Sequence, residues 1–328
     1  MTASNCPIFV VGAPRSGTTM LRYMLCSHPR IYIPPESNFI PGLFRHRRDK
    51  VMSTSEAARI LNKILKYRVF FRDWQGAPID PLAAAESLSG GTPASLLDFL
   101  YGSYAAQFGA QRWGDKTPIY TTHMDLIAEI FPSAQFIHII RDGRDVARSM
   151  IEAYTARNFF YVDVYYAALS WKRRVTQAMK SGNRLGPGRY FQLRYEDLSR
   201  KPERHLRELC AFLGEEYEPA MTEPHKTARQ HYHSKGIHSR TRQPVSDDRV
   251  GRWQKEMSKA DLLVFQTVAG DVLQRCGYEQ FDTGNGSFAE QARLYRLHSK
   301  HALIEGLRRA ISIAGVFHPT SLLSRMRH

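Results

Sequence analysis

Residues 7–29, PIFVVGAPRSGTTMLRYMLCSHP, decide the fold. Ile8 to Val11 is a short, apolar, largely β-branched run that predicts a buried strand. Gly12 to Gly17 reads as a loop. Thr18 to Ser27 carries Met20, Leu21, Met24 and Leu25 at helical spacing, and His28-Pro29 stops that helix. The loop also fits the first six positions of the phosphate-binding pattern GxxxxGK[ST], in the strand-before, helix-after context the pattern requires. Such a loop points backbone N–H groups and the positive end of a helix dipole at an anion, and the hydroxyls of Ser16, Thr18 and Thr19 add donors. The pattern's lysine, which neutralises the β- and γ-phosphates of a nucleoside triphosphate, is missing: Thr18 stands in its place. The loop therefore suits a 5′-phosphate group of lower charge, with Arg15 as the cation. The plain alternative is a glycine-rich turn with no ligand.

Further along the chain the same succession returns. Gln135 to Ile140, QFIHII, is the clearest buried strand and runs straight into Arg141-Asp142-Gly143-Arg144 and another helix. Ile31-Tyr32-Ile33 is strand-like and ends at Pro34-Pro35, and residues 189–194, RYFQLR, alternate like a strand. Helices are expected after the Ser53–Glu56 capping pattern, from Pro93, from about Ile119 to Ile130, at about 202–213, and at about 259–276 behind the N-cap Ser258. Strands alternating with helices give an α/β, three-layer, P-loop-like fold with a central parallel sheet flanked by helices. Ligands of such sheets sit at the C-terminal strand ends, where both sharp loops fall. Residues 281–286, FDTGNG, divide a domain over 1–280 from a C-terminal extension over 281–328.

With 43% hydrophobic and 23% charged residues, the 328-residue chain is too apolar for disorder. A net charge of +15 predicts an anionic partner without choosing among nucleic acid, membrane surface and phosphorylated small molecule. No recognised nucleic-acid module is present. No apolar run approaches the ~20 residues of a membrane-spanning helix, and the N-terminus lacks the basic region of a signal peptide. The four cysteines show no CxxC pair and read as reduced thiols of a cytoplasmic protein. His225, His231, His233 and His238 lie in a stretch, 225–246, with five Lys/Arg and no acids. A basic loop over an anionic ligand explains it better than a metal site, and no metal is expected.

The first stretch resembles the 5′-phosphosulfate-binding loop of sulfotransferases that use 3′-phosphoadenosine 5′-phosphosulfate (PAPS). Its Arg-Ser-Gly-Thr-Thr form is closest to the tyrosylprotein and bacterial branches. The resemblance implies that Arg15, Ser16, Gly17, Thr18 and Thr19 hold the 5′ end of the nucleotide. It further implies that Arg141 and Ser149, eight residues on, hold the 3′-phosphate. A strand-end guanidinium forks well onto phosphate oxygens; an ion pair with Asp142 or Asp145 is the plainer role for Arg141. Arg144 and Arg148 read as surface charges. RYEDL, residues 194–198, implies a place for Tyr195 near the nucleotide. WGDKTP resembles the segment that supplies a catalytic lysine, here Lys116, and GRWQKEMS the late nucleotide-binding segment, with Gly251 and Arg252. A serine often stands where this chain has Gly251, so only a backbone N–H remains there.

Sulfuryl transfer to an alcohol needs a group to take the hydroxyl proton. The tyrosylprotein branch uses a glutamate 21 residues after the loop arginine, which here is Glu36. The expected reaction is in-line displacement onto an acceptor hydroxyl, with Glu36 as base and Arg15, Lys116 and the loop N–H groups stabilising developing charge. His123 is the rival base. A P-loop kinase or NTPase is the alternative function, opposed by the missing lysine. The acceptor, whether carbohydrate, lipid, phenol or tyrosine, is left open. Tyr67, Phe70, Phe71, Trp74, Phe159, Phe160 and Tyr161 are candidates to line its cleft or, equally, to belong to the core. Residues 287–315 read as an amphipathic helix in a tail carrying seven basic and three acidic residues, fit to pack on its own domain or to touch a membrane surface peripherally.

Overall fold

The computed structural model describes residues 6–66, 74, 79–88, 91–156, 162–227, 243–282, 284 and 287–313. Five strands form one sheet: β1 (Ile8–Val11), β2 (Ile31–Tyr32), β3 (Arg112–Lys116), β4 (Gln135–Ile140) and β5 (Tyr190–Arg194). Their order is β2-β3-β1-β4-β5 and every pairing is parallel. β1 runs down the centre, with Ile8 opposite Gly114 on one side and Gln135 on the other. The helices Thr18–Cys26, Gly143–Thr155, Val164–Leu185, Pro202–Leu213 and Lys259–Arg275 cover the sheet. This is the expected three-layer α/β architecture. The loops after β1 and β4 open at the same sheet edge.

β3 carries no strand signal in its sequence, RWGDK, yet all five residues are buried. Each polar side chain finds at least one partner, which lowers the cost of burying it. Arg112 donates to the carbonyls of Cys6 (2.8 Å) and Leu213 (2.7 Å). Trp113 stacks on Tyr101 with ring centroids 4.6 Å apart. Gly114 admits β1 closely, since a Cβ there would lie 2.6 Å from the Ile8 carbonyl oxygen. Asp115 accepts from the Tyr101 hydroxyl at 2.7 Å.

Other expectations need correction. The helix expected from Ile119 to Ile130 is broken at His123: Pro118–Thr122 is a 3-10 turn and Met124–Ile130 the helix. Arg144 is buried rather than a surface charge. Its guanidinium donates twice to Asp142 (3.0 and 2.7 Å) and stacks 3.5 Å from the centre of the Trp253 ring. A planar, weakly hydrated cation tolerates burial under those conditions. Trp74, which the sequence leaves open between cleft and core, belongs to the apolar core, its Nε1 donating to the Pro35 carbonyl at 2.9 Å. Tyr67, Phe70, Phe71, Phe159, Phe160 and Tyr161 lie outside the described residues, as do His231, His233 and His238.

The last helix is Phe288–Ile313 and runs on through Gly306. One face docks on the helix Val164–Leu185: Tyr165 Oη lies 2.7 Å from His298 Nδ1, and Lys300 and His301 both reach Asp163 at 2.8 Å. Phe288, Tyr295 and Leu303 stay exposed.

Candidate active site

The loop after β1 is shaped by backbone conformation. Arg15 and Gly17 both adopt positive φ (74° and 92°), which turns the chain sharply into the helix Thr18–Cys26. Side chains are excluded on both sides of the turn. A Cβ at Gly12 would sit 2.6 Å from the Ile139 carbonyl oxygen, and one at Gly17 only 2.4 Å from Tyr195 Cδ2. Gly17 caps the helix without a side chain, and no acid occupies the first turn. The helix therefore presents uncompensated N–H groups and positive dipole at the sheet edge. Ser16 is buried beside it and its Oγ has no hydrogen-bond partner among the described groups.

β4 delivers the second cation. Arg141, at its end, packs over the Tyr195 ring at 4.6 Å and donates to the carbonyls of Arg15 (3.2 Å) and Arg249 (2.6 Å). Its Nε is buried without a partner. Asp145, one helical turn on, lies 3.7 Å from Arg141 and accepts from the N–H groups of Gly251 and Trp253, both at 2.9 Å. Burial pushes the Asp145 carboxyl above its ordinary pKa, against the pull of Arg141. Arg15 Nε donates to Ser149 Oγ at 3.0 Å, so the loop after β1 and the helix after β4 meet at one point.

The third part lies at the end of β3. Lys116 Nζ donates to Glu36 Oε1 at 2.6 Å and to Thr19 Oγ1 at 3.3 Å. The lysine side chain is 4% exposed and the glutamate 38%, so the carboxylate faces the opening. Arg47 pairs with Glu56, and Arg48 with Glu129, rather than with Glu36.

These three parts border one cleft of about 510 Å³. Arg15, Gly17, Thr18, Thr19, Glu36, Arg141, Ser149 and Tyr195 line it, joined by Tyr154, Arg174 and the segment 243–249. Four expected residues fall outside that lining: Ser16 and Lys116, both buried, the latter bonded to the lining residues Glu36 and Thr19, and then Gly251 and Arg252. Arg252 is outside the lining and forks onto Glu256 at 2.7 and 3.1 Å, while the Gly251 N–H is held by Asp145. The cation this segment offers the cleft is Arg249, which the sequence reading passed over; its Nε is buried and unpartnered. Its only sequence signal is its place two residues before Gly251. His123 sits at the joint of two short helices, outside the lining. Burial and the charges of Arg45, Arg174 and Arg173 hold its pKa below the usual value.

The cleft thus brings together an uncapped helix N-terminus, Arg15, Arg141 and Arg249, and the Glu36 carboxylate with Lys116 behind it. Comparison with known proteins gives the family. A protein-tyrosine sulfotransferase of Drosophila melanogaster is 26% identical over 217 residues, covering 65% of this chain and 39% of that protein. Protein-tyrosine sulfotransferase 1 of Danio rerio is 28% identical over 212 residues, 63% of this chain and 52% of that protein. This chain thus spans about half or less of the length of these relatives. Among solved structures, the sulfotransferase domain of the Synechococcus PCC 7002 olefin synthase superposes with a TM-score of 0.58 at 21% identity, covering 83% of this chain and 94% of that one, a likeness of fold. The profile described as "Sulfotransferase family" matches residues 7–219, and with β1, β3, β4 and β5 and the residues they deliver to the cleft all inside that range, the chain belongs to the sulfotransferase family.

Proposed function

We propose that this protein is a PAPS-dependent O-sulfotransferase that moves a sulfuryl group onto an acceptor hydroxyl. The observation that carries the reading is the Glu36–Lys116 pair at 2.6 Å, whose carboxylate lines the same cleft as the glycine-walled loop and Arg141 while the lysine is buried behind it. The residues present fit the donor. The unpartnered Ser16 Oγ, the open N–H groups of the first helical turn, Thr18 and Thr19 would hold its 5′ end; Arg141, Ser149 and Arg249 would hold the 3′-phosphate, with Tyr195 beside the nucleotide. When bound, PAPS supplies an activated sulfuryl group on a good leaving group. Glu36 accepts the proton of the incoming hydroxyl. Lys116 orients that carboxylate through their 2.6 Å contact, and together with Arg15 it offers positive charge where the transferred group develops negative charge. The names of the relatives put a tyrosine phenol first among acceptors to try, ahead of carbohydrate and lipid hydroxyls. Four free cysteines support a reducing, cytoplasmic setting.

The test is calorimetric titration with adenosine 3′,5′-bisphosphate and, separately, with Mg²⁺-ATP, on wild type and Arg141→Ala. Micromolar binding of the bisphosphate, weakened at least about 30-fold in the variant by loss of a charge-assisted contact, is expected. Binding of Mg²⁺-ATP instead would overturn the reading in favour of a kinase or NTPase.

A further inference from the structure

Glu36 lies in a stretch that no regular structure holds. Residues 33–39 leave β2, an edge strand of two residues, and have no ladder to join. Pro34 and Pro35 carry no N–H at all. Buried backbone groups there must find partners on side chains, and they do: Ile33 meets Cys26 and Arg22, the Pro35 carbonyl meets Trp74, and the residue after Glu36 meets the end of β3. The Ser37 N–H donates to Thr117 Oγ1 at 3.1 Å. Ser37 Oγ lies 2.6 Å from Tyr120 Oη, which also accepts from the Ile40 N–H at 3.1 Å. Ser37, Thr117 and Tyr120 are all buried. Ser37 directly follows Glu36 and Thr117 directly follows Lys116. The residue after the carboxylate is therefore bonded to the residue after the amine.

We propose that Thr117, with Ser37 and Tyr120, is a positioning clamp that fixes the Glu36 carboxylate against Lys116 Nζ by tying the loop after β2 to the end of β3. The three side chains lie outside the cleft lining and bond to one another and to backbone N–H groups, so they are positioning residues rather than catalytic ones. The clamp acts through the pair, and its bearing on turnover rests on the reading of Glu36 as base. Thr117 Oγ1 replaces the strand neighbour that the loop lacks, and the buried site makes its loss costly. A displacement of about 1 Å in a reacting group can cost up to about 100-fold in rate.

The pair can be read without any acceptor. Carbodiimide converts a carboxylate and an amine already in contact into an amide, so the yield of the Glu36–Lys116 crosslink, measured by mass spectrometry of the full chain, reports their geometry. Thr117→Ser, which keeps the hydroxyl, should crosslink within about twofold of wild type, and Thr117→Val about tenfold less or worse. Tyr120→Phe is the milder second variant should Thr117→Val fail to fold, and affinity for adenosine 3′,5′-bisphosphate checks that the rest of the cleft is intact. Unchanged crosslinking in folded Thr117→Val and Tyr120→Phe overturns the clamp. Its catalytic purpose is read from sulfate release from PAPS: Thr117→Val should slow it in the wild-type background and add nothing in Glu36→Gln. Were Glu36→Gln fully active, the base assignment would fail while the crosslink yields still decided the clamp.

Discussion

The two ends of the cleft are made differently. The end proposed to hold phosphate is built from contiguous sequence: a glycine-walled turn between β1 and its helix, and a strand-end arginine with a serine eight residues later. Its geometry is mostly backbone, and its cations bind carbonyls and one another's neighbours. The base end draws on the loop after β2, the end of β3, Tyr120 and Trp74, joined by side-chain hydrogen bonds. The first end is rigid because glycine turns and helix termini have few alternatives; the second is rigid only while several distant residues keep their partners. Binding and chemistry should therefore separate on mutation.

The largest expected effect sharpens that separation. Glu36→Gln should lower sulfuryl transfer by about 10²–10⁴-fold while leaving affinity for adenosine 3′,5′-bisphosphate within about twofold, as steady-state rates set beside calorimetry will check. A comparable fall in affinity would break the comparison, since the base end would then also be holding the nucleotide.

Next comes a pH effect on β4, which delivers Arg141. His138 is fully buried in that strand beside Tyr190 (2.6 Å), and burial pushes its pKa down to about 3. A base whose folded pKa is depressed contributes stability that is intact above its unfolded value near 6.5 and lost as pH falls toward 3. The loss should reach the order of 4 kcal/mol at the acid end. Urea unfolding from pH 7 to 4 should show it, and His138→Asn should flatten the profile.

Gly17→Ala should cost roughly 2–3 kcal/mol of stability, through a positive φ and a Cβ driven into Tyr195. It should weaken the bisphosphate as well, because Tyr195 lines the cleft under Arg141. Thermal unfolding with and without ligand measures both. The smallest effect separates two neighbours. Arg249→Ala should weaken the bisphosphate about tenfold by removing a charged contact, and Arg252→Ala by less than about twofold. Equal effects would mean that the Arg252–Glu256 pair opens when the nucleotide arrives.

Legibility follows the same division. QFIHII is observed as β4 over the predicted residues, and the strand–loop–helix at Ile8–Cys26 was plain, because local pattern and tertiary role agree there. β3 was illegible as a strand, because Arg112, Asp115 and Lys116 are buried only by virtue of partners far away in sequence. Arg144 was misplaced, and Trp74 left open between cleft and core, for the same reason: nothing near them in sequence names Trp253 or Pro35 as the group that receives them. Glu36 could be singled out only by spacing from Arg15 within a recognised pattern, and its pairing with Lys116 could not be read at all.

By itself the sequence determined the parallel α/β sheet, the edge at which its loops open, and the glycine-rich strand–turn–helix of residues 8–26, since each depends on periodicity and glycine placement within a short window. Only the tertiary structure decided that β3 lies between β1 and β2, that Arg249 rather than Arg252 faces the cleft, and that Thr117 ties the loop carrying Glu36 to the strand carrying Lys116. Those outcomes depend on which buried polar group meets which partner across about 80 residues of chain, and hydrogen bonding at that range leaves no local trace in composition or spacing.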